Sequence, residues 1–245
     1  MITHSAPAKD IAKQVAENIS QIRGRISEAA KRAGRNPDDI TLMAVTKTQP
    51  PEKIIAAYEA GIRAFGENRV QEFAAKREQL SDLPDATFAL IGQLQSNKVN
   101  KAVELFSAIH SVDSLRLAER INAAVERSGR EPLPVAIEIN TGDPVKAGLA
   151  PDSPELEQLL SSAPRLLHLR IEGLMTIPPF TEDSEGARPY FRRLRELRDS
   201  IATRPLSGTS MDLLSMGMSH DFEVAIEEGS TCVRIGTAIF GERQK

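Results

Sequence analysis

Eight short apolar runs, each separated from the next by a helix-like stretch and short connections, constrain this chain more than any other feature. The runs are Thr41–Thr46, Arg63–Gly66, Thr87–Ile91, Ala108–Ser111, Val135–Asn140, Leu169–Leu174, Met211–Leu214 and Thr231–Ile235. Between them, Pro51 suits the first turn of a helix carrying Ile54, Ile55 and Tyr58. Val70–Leu80, Asn97–Phe106 and Ser114–Ser128 read as further helices. Ser153 and Pro154 form a cap and first-turn pair ahead of Leu156, Leu159 and Leu160, and Phe191, Leu194, Leu197 and Ile201 make another stripe. Ser219 is placed to cap Phe222–Glu228, with Gly229 as the stop. Strand–helix alternation with such short connections requires parallel strands joined by crossover helices.

Eight units in 245 residues fit a closed (β/α)8 barrel of the TIM type better than an open, doubly wound sheet, which is the structural alternative. The last unit is stunted, because only Gly236–Lys245 follow the eighth run. An N-terminal helix, capped by Asp10 and striped by Ile11, Val15, Ile19, Ile22, Ile26 and Ala30, could cover that gap or pack on a second copy. Gly34 and Pro37 end it, and residues 1–9 read as a loose tail. No linker or low-complexity segment interrupts the chain, so a single domain over 1–245 is expected.

Composition removes several partners. With a net charge of −3, no basic run, and only 8 Phe, 2 Tyr and no Trp, the chain offers neither an electrostatic nor a stacking surface for nucleic acid. No apolar stretch approaches the roughly 20 residues of a membrane helix, and no signal pattern opens the sequence. Cys232, the single cysteine, excludes an internal disulfide and points to the cytoplasm; in its strand it reads as a buried structural thiol.

The chemistry gathers where the strands end. Lys47 follows Leu42-Met43-Ala44-Val45-Thr46, so its amine belongs at the barrel mouth, where desolvation favours the neutral form that attacks an aldehyde. A solvated surface lysine is the alternative. Ser215-Met216-Gly217-Met218-Ser219 and Gly236-Thr237 occupy the loops after strands seven and eight, where such barrels build phosphate sites from glycines, hydroxyls and helix N-termini. An ordinary cap and an ordinary turn are the bland readings. Arg234 shares a strand face with Cys232 and Gly236, so it is either a guanidinium aimed at a ligand or half of an ion pair with a core carboxylate such as Glu138. An amine, an anion cradle and an arginine on one rim suit a phosphate-bearing aldehyde. Pyridoxal 5′-phosphate is the first candidate, and a phosphorylated sugar in a lysine-dependent aldolase is another.

Seven segments in chain order carry a resemblance. They are Ala44-Val45-Thr46-Lys47-Thr48, Phe65-Gly66-Glu67-Asn68-Arg69-Val70-Gln71-Glu72, Ile91-Gly92-Gln93-Leu94-Gln95-Ser96-Asn97-Lys98, Ile109-His110-Ser111-Val112-Asp113-Ser114, Gly173-Leu174-Met175-Thr176-Ile177-Pro178, Leu214-Ser215-Met216-Gly217-Met218-Ser219 and Val233-Arg234-Ile235-Gly236-Thr237-Ala238-Ile239-Phe240-Gly241. Together they resemble the YggS/PROSC family of pyridoxal phosphate homeostasis proteins. The resemblance implies a barrel like the N-terminal domain of alanine racemase. It implies that Lys47 forms a Schiff base with pyridoxal phosphate, that Arg234 faces the pyridine nitrogen, and that Ser215, Ser219, Gly236 and Thr237 hold the phosphate. Asn68 would line the cofactor's edge and Met175 would pack nearby. The chain departs from the family at Gln93, where histidine is common, at Gly142-Asp143-Pro144-Val145, where a Ser-Gly-Glu-Glu-like turn is usual, and at His220, where glycine is common.

An arginine against the ring nitrogen only donates, so it cannot keep that nitrogen protonated, and transamination and decarboxylation are disfavoured. Racemisation needs a second base opposite the lysine. Tyr58 and Tyr190 belong to helical segments, and His110 is the remaining candidate near the rim. The expected function is therefore storage of pyridoxal phosphate and its delivery to apoenzymes, with a weak amino-acid racemase as the alternative. The expected assembly is a monomer or weak dimer.

Overall fold

The computed structural model describes residues 6–142 and 146–242. Eight parallel strands close into one barrel in strict chain order. The strands are β1 (Thr41–Val45), β2 (Ala64–Glu67), β3 (Thr87–Leu90), β4 (Ala108–Val112), β5 (Leu133–Glu138), β6 (Leu169–Met175), β7 (Thr209–Ser215) and β8 (Cys232–Ile235). The helices between them are α2 (Pro51–Glu59), α3 (Val70–Lys76), α4 (Val99–Leu105), α5 (Leu115–Ser128), α6 (Pro154–Ser162), α7 (Arg188–Ala202) and α8 (Phe222–Glu227), with α1 (Ala6–Arg32) before the barrel and α9 (Thr237–Phe240) after it. All eight expected strands are present, with ends displaced by a residue or two. The helix expected over Val70–Leu80 finishes as a 3-10 turn, Arg77–Leu80, and the one expected from Asn97 begins with another, Ser96–Lys98.

Two caps form as the sequence implies: Ser114 and Ser153 each accept a hydrogen bond from the backbone N–H three residues on. Two others do not. Helix α1 begins at Ala6 and already runs through Asp10, so Asp10 is not its cap and residues 6–9 of the expected loose tail 1–9 are helical; residues 1–5 lie outside the described residues. Ser219 sits in a turn before α8, and the residue at the cap is Asp221, whose carboxylate accepts from the Met218 N–H at 2.6 Å. A carboxylate three residues beyond Met218 closes that turn before the helix can begin.

The apolar side chains divide into two bodies. Met43, Val45, Ala89, Ile91 and Cys232 fill the barrel interior. The larger core lies between the barrel wall and the helices and includes a run of phenylalanines, Phe65 on Phe88, Phe88 on Phe73 and Phe73 on Phe106, with centroids 5.1, 4.7 and 4.9 Å apart. Alternation along each strand sorts the residues between these bodies. Met43 and Val45 point inward while Ala44 points out; Cys232 and Arg234 point inward while Val233 and Ile235 point out.

Helix α1 closes the stunted side of its own barrel. Val15, Ile19, Ile22 and Ile26 are all buried, each contributing about 1.5–3 kcal/mol. Asn18 donates to the Ile239 carbonyl at 2.8 Å, and Arg25 and Arg32 pair with Glu223 and Glu227 of α8. Among the described residues no helix is long and apolar enough to cross a membrane.

Candidate functional site

The C-terminal ends of β1, β7 and β8 meet at one point of the rim. β1 and β8 pair in register from Thr41↔Cys232 to Ala44↔Ile235, which brings Val45 beside Gly236. A Cβ built on Gly236 lies 3.4 Å from both the Cβ and the carbonyl oxygen of Val45. Lys47, half-buried, stands two residues past Val45, in the turn that follows β1.

The two expected phosphate loops are joined. The Arg234 N–H donates to the Gly217 carbonyl at 3.0 Å, and the Ala238 N–H donates to the Ser219 hydroxyl at 3.3 Å. Gly217 has φ 93°, and a Cβ there would sit 2.5 Å from that of Ala225, so only glycine lets the loop turn against α8. Thr237 opens α9, which leaves its N–H without an intrahelical acceptor.

Arg234 is buried inside the barrel top. Its Nη1 donates to the Ser215 hydroxyl and its Nη2 to the Thr176 carbonyl, both at 2.7 Å. No ion pair within bonding distance joins it to Glu138; these two neutral acceptors set its direction. Burial holds the guanidinium below the usual arginine range, opposed by Cys232, Asp221 and Glu138. Ser215 is thus fully buried with its oxygen engaged by Arg234, while Ser219 and Thr237 are accessible at the rim. Met175 is fully buried at the end of β6, paired in register with Glu138 and Ser215. Asn68 follows β2 and supports the next loop: a Cβ on Gly92 would lie 2.3 Å from the Asn68 carbonyl oxygen. Outside Asn68 opens a cleft of about 710 Å³ lined by Arg69, Glu72, Gln93 and Lys98 among others. His220 is exposed and stacks against Phe180 with centroids 5.7 Å apart, whereas residues 143–145 of the remaining family departure lie outside the described residues.

The backing of Lys47 was not anticipated. Lys76, Glu67, Glu72 and Thr46 form a network behind the turn, on the face of the barrel wall opposite the interior. The Lys76 ammonium contacts Glu67 at 2.7 Å, the Thr46 carbonyl at 2.9 Å and Glu72 at 3.3 Å. Thr46 donates its hydroxyl to Glu67 at 2.5 Å, and the Thr48 N–H donates to Glu72 at 2.5 Å. Thr48 has φ 62°, a left-handed conformation that a β-branched residue keeps only where its surroundings impose it. The spacing of Glu72 and Lys76 marks a helical ion pair, but nothing in the sequence shows that Lys76 turns inward. The two tyrosines are separated: Tyr58 donates to Asp85 before β3, at the far end of the barrel, whereas Tyr190 packs against Gly142 after β5, on the strand-end side across from β1.

Two buried titratable groups share the interior with Arg234. Burial, with help from Asp113 and against Arg234, raises Glu138 to about 7. Burial first and then Arg234 lower His110 to about 4. The folded protein therefore keeps a proton on Glu138 that the unfolded chain releases, so that contribution to stability is lost as pH rises from about 4.5 to 7. His110 does the reverse: the unfolded chain holds a proton the folded one lacks, so stability rises from about pH 4 to 6.5. The two slopes oppose each other. Glu138→Gln should leave the rising slope and His110→Asn the falling one, each amounting to about 3 kcal/mol at roughly 1.4 kcal/mol per pH unit. Urea unfolding of both variants without added ligand between pH 4 and 8 checks the signs; parallel curves would show that neither group titrates in this way.

The fold and rim define a barrel of the alanine racemase type, and comparison with known proteins agrees. The family model for the alanine racemase N-terminal domain matches residues 16–244. A protein of Aquifex aeolicus named pyridoxal phosphate homeostasis protein is 45% identical over 229 residues, covering 93% of this chain and 98% of its own. The structure of PipY of Synechococcus elongatus with pyridoxal phosphate bound is 38% identical, with a TM-score of 0.80 over 93% of this chain and 100% of that one. An alanine racemase of Clostridium difficile is similar in fold alone, at 14% identity and a TM-score of 0.74, over 95% of this chain and 58% of the racemase. The chain belongs to the pyridoxal phosphate homeostasis protein family.

Proposed function

We propose that this protein binds pyridoxal 5′-phosphate at the β1–β7–β8 rim, holds its aldehyde on Lys47 as a Schiff base, and stores and delivers it to apoenzymes without turning over a substrate of its own. The observation that carries the reading is the apposition of Val45 with Gly236, which brings the end of β1, two residues before Lys47, beside the joined loops of β7 and β8. The donors present fit the cofactor. Ser219, Gly236 and Thr237 offer a hydroxyl and a helix N-terminus to the phosphate. Arg234, its direction set by the Ser215 hydroxyl and the Thr176 carbonyl, would meet the pyridine nitrogen from the barrel interior. Asn68 would line the cofactor's edge and Met175 would pack nearby.

When bound, the cofactor supplies an electrophilic aldehyde and an electron-withdrawing ring. Arg234 donates to whatever it meets and never accepts, so it keeps no proton on the ring nitrogen and the ring stays a weak electron sink. Tyr58 is engaged at the opposite end of the barrel, which removes it as a second base and supports a carrier over a racemase. The test is an assay of D/L interconversion of alanine and serine by protein saturated with pyridoxal phosphate. The expected result is a yellow protein with no interconversion above that of the free cofactor. Turnover that requires Lys47 would overturn the carrier reading in favour of the racemase, and a colourless protein would revive the aldolase.

A further inference from the structure

Lys47 itself has a neighbouring lysine that the proposed function does not use. Lys76 is buried at 8% side-chain exposure with Glu67 at 0%. Its ammonium is shared among Glu67, Glu72 and the carbonyls of Thr46 and Gln49. With the Thr48 N–H on Glu72 and the Thr46 hydroxyl on Glu67, three of the residues flanking Lys47 are tied to one charge cluster. The cluster is built on β2 and α3, the two elements that bracket Asn68. It thereby links the wall that carries Lys47 to the wall that carries Asn68.

We infer that the Lys76–Glu67–Glu72 cluster positions the Lys47 turn, holding its backbone in the left-handed bend at Thr48 so that the amine meets an aldehyde seated on the β7 and β8 loops. This rests on the proposed role of Lys47. Lys76 is no substitute for Lys47: its ammonium is buried and already engaged by three acceptors within 3.3 Å. Glu72 and Lys76 are positioning residues, since they act on the turn and not on the cofactor. A lysine on an otherwise mobile turn would have to be ordered during capture, and poor placement of a reacting group slows reaction by up to about 100-fold.

The test uses the full chain with Glu72→Gln, Lys76→Arg and Lys47→Ala. Glu72→Gln keeps an acceptor for Thr48 but removes its charge. It should fold, weaken the protection of the Thr48 amide against hydrogen exchange in the ligand-free protein, and capture pyridoxal phosphate about 10- to 100-fold more slowly, with the pH midpoint of capture displaced. Lys76→Arg retains the charge and should recover most of the rate. A folded Glu72→Gln protein with wild-type Thr48 protection, capture rate and pH midpoint overturns the inference while leaving the role of Lys47 intact. Persistence of the visible band in Lys47→Ala would instead remove the reading on which the inference rests.

Discussion

Lys47→Ala is expected to abolish the visible absorption that pyridoxal phosphate gives with the wild-type protein, while leaving the fold unchanged. The amine lies past the end of β1, half-buried, in a turn whose backbone is tied down at Thr46, Thr48 and Gln49. Its removal therefore takes away the group proposed to bond the aldehyde and leaves the proposed phosphate site of Ser219, Gly236 and Thr237 in place. The variant should still bind phosphate and pyridoxal phosphate non-covalently, with lower affinity and the spectrum of the free aldehyde. An absorption titration against wild type separates the two cases; retention of the shifted band would assign the aldehyde to another amine.

Gly173→Ala is expected to have the largest effect on stability. A Cβ at this position would lie 1.8 Å from the carbonyl oxygen of Leu213 and 2.6 Å from its carbonyl carbon. These are backbone atoms of the adjacent strand, so no rotamer change relieves the overlap. The β6–β7 register shifts between Ile171 and Gly173, and Met211 takes φ 58° beside it, so the strands are already bent together here. Moving β7 outward would also move Ser215, the acceptor that orients Arg234. We expect a loss of about 3–5 kcal/mol, at the upper end for a single substitution, together with weakened cofactor binding. Chemical denaturation measures the first and the absorption titration the second; a loss below about 1 kcal/mol would mean that β7 yields more easily than its backbone contacts imply.

What the sequence made legible follows from where the physics is local. Strands such as β1 and β8 alternate in and out with a period of two, and α2, α5 and α6 carry Ser or Pro at their starts, so the order of the barrel's elements could be read from the chain. The joining of the β7 and β8 loops was also within reach, because both carry glycine and a hydroxyl after adjacent strands. The direction of Arg234 was not. Alternation puts it inside the barrel, but whether it meets Glu138 or Ser215 depends on side-chain reach across strands that are separate in sequence. Lys76 illustrates the same limit more sharply. On a helix surface a lysine four residues after a glutamate signals a solvated pair; here α3 is so short that its last residue reaches the strand ends, and the charge is buried beneath Lys47. Ser219 and Asp221 show a local ambiguity. Both are good cap residues two positions apart, and the choice fell to the one whose carboxylate closes on Met218.

The most direct measurement is borohydride reduction of the protein with pyridoxal phosphate, followed by peptide mass spectrometry. The account predicts a single stoichiometric phosphopyridoxyl adduct on the peptide that contains Lys47. An adduct shared among surface lysines, or found on Lys76, or none at all, would contradict it.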